Sequence, residues 1–111
     1  MTQHMDALAH ANRVRVAQAK LKVELKSLGT QESRHLLADL LGEPSEELGR
    51  LRVLVALCAC FGTGPNYGRR MLALAEVARE DKRVMDLTPR QRDRLARALR
   101  GELRDVWKDA A

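Results

Sequence analysis

The chain has 111 residues, 45% of them hydrophobic and 32% charged, with a formal charge of +5 and a pI of about 9.8. That length suits one domain, residues 1–111; no stretch approaches the roughly 18 unbroken apolar residues of a membrane helix. Met1 to Asp6 lacks a basic segment followed by an apolar one, so no secretory leader and a cytoplasmic location are expected. With 18 Leu, 15 Ala, no Ile, 4 Thr and only Phe61, Tyr67 and Trp107 as aromatics, a strand-rich fold is disfavoured and an all-α fold expected.

The first helix is predicted over about 6–28. Val14, Ala17, Leu21, Leu25 and Leu28 share one face. Arg15, Lys22 and Lys26 form a stripe about a quarter-turn away, with Arg13 and Lys20 on the opposite flank. Val16 and Val23 face away from the leucines, an odd choice for a solvated surface; they are either harmless there or touch another segment. Gly29 suits a helix stop, and a compact helical part is predicted beyond it, over about 30–108.

Thr30 reads as the cap of a short helix, about Gln31 to Leu41, with Leu36, Leu37, Leu40 and Leu41 as its apolar side. Gly42-Glu-Pro-Ser45 is a break, with Ser45 as the next N-cap; Glu46 to Leu51 reads as a helical turn or two. Leu51 to Phe61 is almost entirely apolar and is predicted to be the central, most buried helix. Gly62 to Gly68 holds three glycines and a proline and is predicted as loop. A helix of about Tyr67 to Val77 follows, opening with Arg69 and Arg70, and then a charged connector, Arg79 to Asp86. Thr88-Pro-Arg-Gln91 matches a capping box with Pro at the first helical position. The last helix is predicted from Pro89 to about Lys108, with Leu95, Leu99, Leu103, Val106 and Trp107 inward. Arg90, Arg94, Arg97, Arg100, Arg104 and Lys108 cover its other face.

Enzyme signatures are missing. His4, His10 and His35 stand apart, there is no nucleophile elbow, and Gly64 leads into Pro-Asn-Tyr-Gly rather than a phosphate-binding Gly-Lys-Ser ending. No catalytic residue, metal or cofactor is therefore expected. Cys58 and Cys60 sit two apart in a predicted helix, pointing to nearly opposite sides, and read as core or boundary residues in a reducing compartment. The basic balance permits binding to nucleic acid or an anionic surface. Arg outnumbers Lys 15 to 5, and Arg grips phosphate with a planar fork.

The glycine-rich segment before Arg69 and Arg70 reads in two ways. It is an ordinary loop with surface arginines, or a turn whose backbone N–H groups and following helix start approach a phosphate. The arginine face of the last helix is likewise a DNA surface or a solvated face eased by Asp105 and Asp109.

Arg15, Ala19-Lys-Leu-Lys22, Leu25-Lys26 with Gly29-Thr30, Leu48-Gly-Arg-Leu-Arg-Val53, Lys82-Arg-Val84, Leu87 and Arg90-Gln-Arg92 occur in an order and spacing that resembles the actinobacterial integration host factor family, over about residues 10–100. The resemblance implies a monomer with a long N-terminal helix on a small helical domain carrying a helix–two-turns–helix element. It implies a nucleoid-associated protein that binds duplex DNA with little sequence preference, bends or compacts it, and assists site-specific recombination, with a recombinase as a further partner. The chain departs from the family where Phe61-Gly-Thr-Gly-Pro-Asn66 replaces a turn of the type Pro-x-Val-Gly-Lys, losing the helix-entering Lys and, at Pro65, one N–H donor.

The expected DNA contacts are Gly62, Thr63, Gly64 and Asn66 as backbone or amide donors to phosphate and Arg69 and Arg70 as a charge clamp, with Arg15, Lys22 and Lys26 as a second region. Lys82, Arg83, Arg90 and Arg92 are lesser contacts. The alternative from another class is a divergent, phage-type copy acting as a protein-interaction module through Val16, Val23 or the segment around Trp107. RNA binding is a third reading, and the scarcity of stacking aromatics disfavours single strands.

Overall fold

The protein's structure, a computed structural model, describes residues 2–103. The fold is all-α. Six α-helices are described: α1 Thr2–Ser27, α2 Thr30–Gly42, α3 Glu46–Gly49, α4 Val53–Cys58, α5 Pro65–Leu74 and α6 Pro89–Leu99. A 3-10 turn, Val84–Asp86, precedes α6, and there is no strand among the described residues. None of the described helices is long and apolar enough to cross a membrane.

The 26 residues of α1 span about 39 Å at 1.5 Å per residue. Val14, Leu21 and Leu25 are buried, and Ala17 and Leu28 half-buried, as the leucine face requires. This face packs on α2 and α3. His10 Nε2 donates to Glu46 Oε1 at 2.6 Å, and Gln18 Nε2 donates to the Glu47 carbonyl at 3.1 Å. Residues 5–10 are all exposed, so the first turns of α1 project from the body.

One core joins all six described helices, centred on Leu25, Leu37, Leu41, Leu48, Leu57 and Leu95. α2 lies along α6, and α4 along α5. Inside this core sits Ser33, the one fully buried polar side chain among the described residues. Its Oγ donates to the Leu25 carbonyl at 2.7 Å and accepts from Phe61 N at 3.2 Å. One hydroxyl thereby ties the end of α1, the body of α2 and the turn beyond α4, and the desolvation of Ser33 is fully compensated.

Several expected boundaries need correction. The N-cap of α2 is Gly29, in extended conformation, and Thr30 is already helical; Gly29 joins two helices rather than ending α1 in a left-handed turn. The segment 62–68 is not all loop, because α5 begins at Pro65. Pro is pre-set for the first helical position, where its missing N–H has no helical partner to lose. Gly68 is then inside a helix for a packing reason: a Cβ there would meet Leu54 Cδ1 at 2.8 Å and Leu57 Cβ at 3.6 Å, so its missing side chain lets α5 pack closely on α4. The apolar run 51–61 is helical only from Val53 to Cys58, and at its start the backbone of Leu51 and Val53 holds the connector. Val53 N donates to Lys82 O at 2.8 Å and Val84 N to Leu51 O at 2.9 Å, around an isolated bridge between Arg52 and Arg83.

The last helix also ends early. Gly101 takes φ 76°, its N–H reaches Ala98 O at 3.0 Å, and Glu102 N reaches Arg97 O at 2.9 Å, a Schellman stop immediately after Leu99 and Arg100. The reading of a helix to Lys108 fails at that glycine; Arg104, Val106, Trp107 and Lys108 lie outside the described residues. Its beginning is as expected: Thr88 Oγ1 accepts from Gln91 N at 3.1 Å and Gln91 Oε1 accepts from Thr88 N at 3.0 Å. Ser45 likewise caps α3, accepting from Leu48 N at 3.3 Å.

Candidate nucleic-acid interface

The glycine-rich turn and the start of α5 form the site. Gly62 takes φ 73°, which only glycine adopts cheaply, and a Cβ there would meet Thr30 Oγ1 at 2.8 Å. The chain then bends through Thr63, whose N–H reaches Cys60 O at 3.2 Å, to Gly64, the N-cap of α5. Gly64 is extended and brings no side-chain cap, and the space beside its Cα is open. Pro65 has no N–H, and the first helical bond runs from Gly68 N to Gly64 O at 2.9 Å. The N–H groups of Asn66 and Tyr67 thus sit at the positive end of the helix dipole, ahead of that bond.

Arg34 shapes this turn, and sequence reasoning missed it. Its Nε donates to Thr63 Oγ1 at 3.1 Å, its Nη2 reaches Gly62 O at 3.5 Å, and its Cζ lies 4.0 Å over the Tyr67 ring. Thr63 is buried, its N–H is already taken by Cys60 O and its hydroxyl by Arg34, so it is an internal anchor of the turn and not an open donor to phosphate. The signal for Arg34 was present: it lies one helical turn before Leu37 and Ala38 and two before Leu41, a cation on the apolar face of α2.

The structure brings Gly62, Thr63, Gly64, Asn66, Arg69 and Arg70 onto one turn and one helix start. Arg69 is not an open cation. Its Nε donates to Glu80 Oε2 at 2.8 Å, which holds the Glu80 carboxyl below its usual range and the guanidinium above its own. Arg70 is exposed on the same turn. Lys26 Nζ donates to Cys58 O at 2.9 Å, tying α1 to the C-terminal end of α4 just ahead of the turn. Lys22 is exposed nearby, and the two lysines line an apolar cleft of about 360 Å³ with Leu54, Val55, Cys58 and Ala59. Arg15 is exposed farther along α1.

The remaining candidates lie elsewhere. Lys82 and Arg83 belong to the connector, lining an open cleft of about 670 Å³ with Glu76, Arg79, Asp81 and Asp86. Arg90 approaches Glu76 at 3.7 Å. Arg92 Nη1 donates to Leu41 O at 3.2 Å and Gly42 O at 3.3 Å, satisfying the end of α2. Arg94 does the same for α5, donating to Leu74 O at 2.9 and 3.2 Å, and Arg100 pairs with Asp39 of α2. Much of the arginine complement of α6 is therefore bound to carbonyl ends and to a carboxylate of its neighbours. Arg97 is exposed and lies 3.7 Å from Glu102.

Cys60 is buried and Cys58 half-buried; both are free thiols, and burial pushes the Cys60 thiol up. Among the described residues no group of three or more His, Cys, Asp or Glu side chains is placed to hold a metal. Comparisons of the chain with protein-family models, curated proteins and solved structures give no match.

Proposed function

We propose that this protein binds duplex DNA through its phosphate backbone with little sequence preference, as a nucleoid-associated architectural protein of the actinobacterial integration host factor type. In this reading α4, the Phe61–Gly64 turn and α5 act as the helix–two-turns–helix element, with the chain working as a monomer. The observation that carries the reading is the uncapped glycine start of α5, with Asn66, Arg69 and Arg70 in its first turns and its turn braced by Arg34. A helix start with no side-chain acceptor of its own and two cations beside it is suited to an anion. Arg15 and Lys22 on α1 supply a second contact region, and two separated regions are what bending a duplex requires. Bending or compaction would let the protein assist site-specific recombination beside a recombinase. Lys26 and Arg92 contribute less than their charge suggests, because each is already bound to backbone carbonyls, and Arg69 joins the grip by exchanging the Glu80 carboxylate for a phosphate.

The test is fluorescence anisotropy of a labelled duplex of about three helical turns, titrated across a salt series. Affinity should fall log-linearly with salt and alike on unrelated sequences. Arg69→Ala with Arg70→Ala should weaken binding uniformly and flatten the slope by about one to two, near 0.9 for each phosphate that is no longer neutralised. Absence of binding at low salt would refute the function; an unchanged slope in the double variant would refute this turn as the grip.

A further inference from the structure

We propose that the outer face of α1 is a docking seam for an amphipathic helix of a partner protein, one that carries acidic residues beside its own apolar stripe. The seam goes beyond the DNA reading: its apolar stripe holds none of the proposed DNA contacts, and only its flanking Arg15 and Lys22 are shared with them. Met5, Leu8, Val16 and Val23 are 70%, 59%, 47% and 69% exposed, on the side of α1 opposite the buried Val14, Leu21 and Leu25. They do not scatter. Met5, Ala9, Asn12, Val16, Ala19 and Val23 follow one another at spacings of four, three, four, three and four, the alternation that keeps one narrow stripe facing a partner helix, and all six are exposed. Leu8 borders the same stripe.

The stripe's composition selects the occupant. Ala9, Asn12, Val16, Ala19 and Val23 are small or slim, which permits close approach of a second helix. A helix that lies in a lipid surface instead presents a broad face of Trp, Phe and Leu, and no aromatic residue lies on α1. Asn12 is the polar residue that such seams use to set register. The flanks decide the charge of the partner. Arg13 and Lys20 run along one edge and Arg15 and Lys22 along the other, all exposed and none in an ion pair among the described residues. A second copy of α1 laid on the seam, in either direction, would set these cations against cations. An acidic flank on a foreign helix would instead meet four opposite charges. Lys22 also rims the apolar cleft with Val55, so a larger side chain at the partner's end has a place to go.

The probe is a labelled synthetic helix of about three heptads with Leu and Ala on its seam, Asn opposite Asn12, and Glu on both flanks; its twin carries Lys on both flanks. The intact chain should bind the Glu probe at least about tenfold more tightly than the Lys probe. Val16→Asn with Val23→Asn keeps the charge and lies on a solvated face, so it should leave the melting temperature unchanged and abolish the preference. Arg13→Glu with Lys20→Glu should weaken the Glu probe and admit the Lys probe. The proposal is overturned if the Glu probe binds the Val16/Val23 variant as well as it binds the parent, or if a sequence-scrambled Glu probe competes equally, since charge alone would then account for binding. It is also overturned if sedimentation shows self-association that the Val16/Val23 variant removes, or if vesicles of phosphatidylglycerol and phosphatidylcholine take up the parent chain and the Glu probe does not compete. Duplex binding is read separately on the same variants, so loss of the seam and loss of the DNA site are distinguishable.

Discussion

Glu80 and Glu76 are the two residues where a single change tests most. Glu80 competes with any phosphate for Arg69, through contacts of 2.8 and 3.5 Å. Glu80→Gln removes a negative charge beside the proposed grip and releases the guanidinium, so duplex affinity should rise a few-fold at low salt, and the salt slope should steepen by up to about one. Unchanged affinity in a folded variant would place Arg69 outside the DNA contact. Glu76 is a different case. It takes φ 61°, a conformation that costs a side-chain-bearing residue about 1–2 kcal/mol, to complete the Schellman stop of α5: Val77 N reaches Leu72 O at 2.9 Å and Glu76 N reaches Ala73 O at 3.1 Å. Glu76→Gly should therefore stabilise the fold by about 1 kcal/mol in chemical denaturation, since the carboxylate gives up only an exposed pairing with Arg90 at 3.7 Å. A drop in stability would mean that the Arg90 pairing outweighs the backbone strain.

At the scale of elements, what was legible in the sequence is what local chemistry decides. Thr88 and Gln91 announce the start of α6 because a capping box is complete within four residues. Ser45 announces α3 more simply, as a lone N-cap that accepts from Leu48 N. Gly68 misled because glycine count signals a loop, whereas its reason is the approach of Leu54 and Leu57 from another helix, which no local pattern encodes. The arginines of α6 misled for a similar cause. Alternation of Arg with Leu and Ala reads as a DNA surface or a solvated face, and only the assembled fold brings Leu41 O and Leu74 O within reach of Arg92 and Arg94. The turn of the candidate site was visible from its glycines, but its brace was not, because Arg34 lies about thirty residues away. The same long-range logic applies to Ser33, which joins three elements through one hydroxyl. Ser33→Ala would leave the buried Leu25 carbonyl and Phe61 N–H without that partner, at a cost of about 1–3 kcal/mol. It should also loosen the turn that Phe61 opens, seen as faster amide exchange at Gly62 and Gly64. A loss of stability without that local change would confine Ser33 to the core.

At the scale of the molecule, α1 is two things at once. Its C-terminal half belongs to the core through Val14, Leu21 and Leu25, and its first turns project. The latch between these regimes is Glu46, which holds His10 at 2.6 Å and Arg50 at 2.8 Å. The hydrogen bond from His10 above all, and the charges of His10 and Arg50, hold the Glu46 carboxyl below its usual 4.5. A carboxyl whose pKa is lowered by folding adds stability that is complete above 4.5 and is lost as pH falls through the lowered value, because the native state resists taking the proton that the unfolded chain accepts. The chain should therefore melt at a higher temperature than Glu46→Gln near neutral pH, and the gap should close as pH falls below 4.5. Glu80 and Asp81 are lowered as well, by Arg69 and Arg79, and they destabilise both proteins alike in acid, so the difference between parent and variant isolates the latch. Closing of the gap should coincide with separation of His10 and Gln18 from α3, read from their side-chain NMR signals, while Leu25 keeps its core environment. If parent and variant melt together across the whole range, Glu46 is not the latch, and the buried face from Val14 to Leu25, with the Gln18 and Lys26 hydrogen bonds, holds α1 to the body without it.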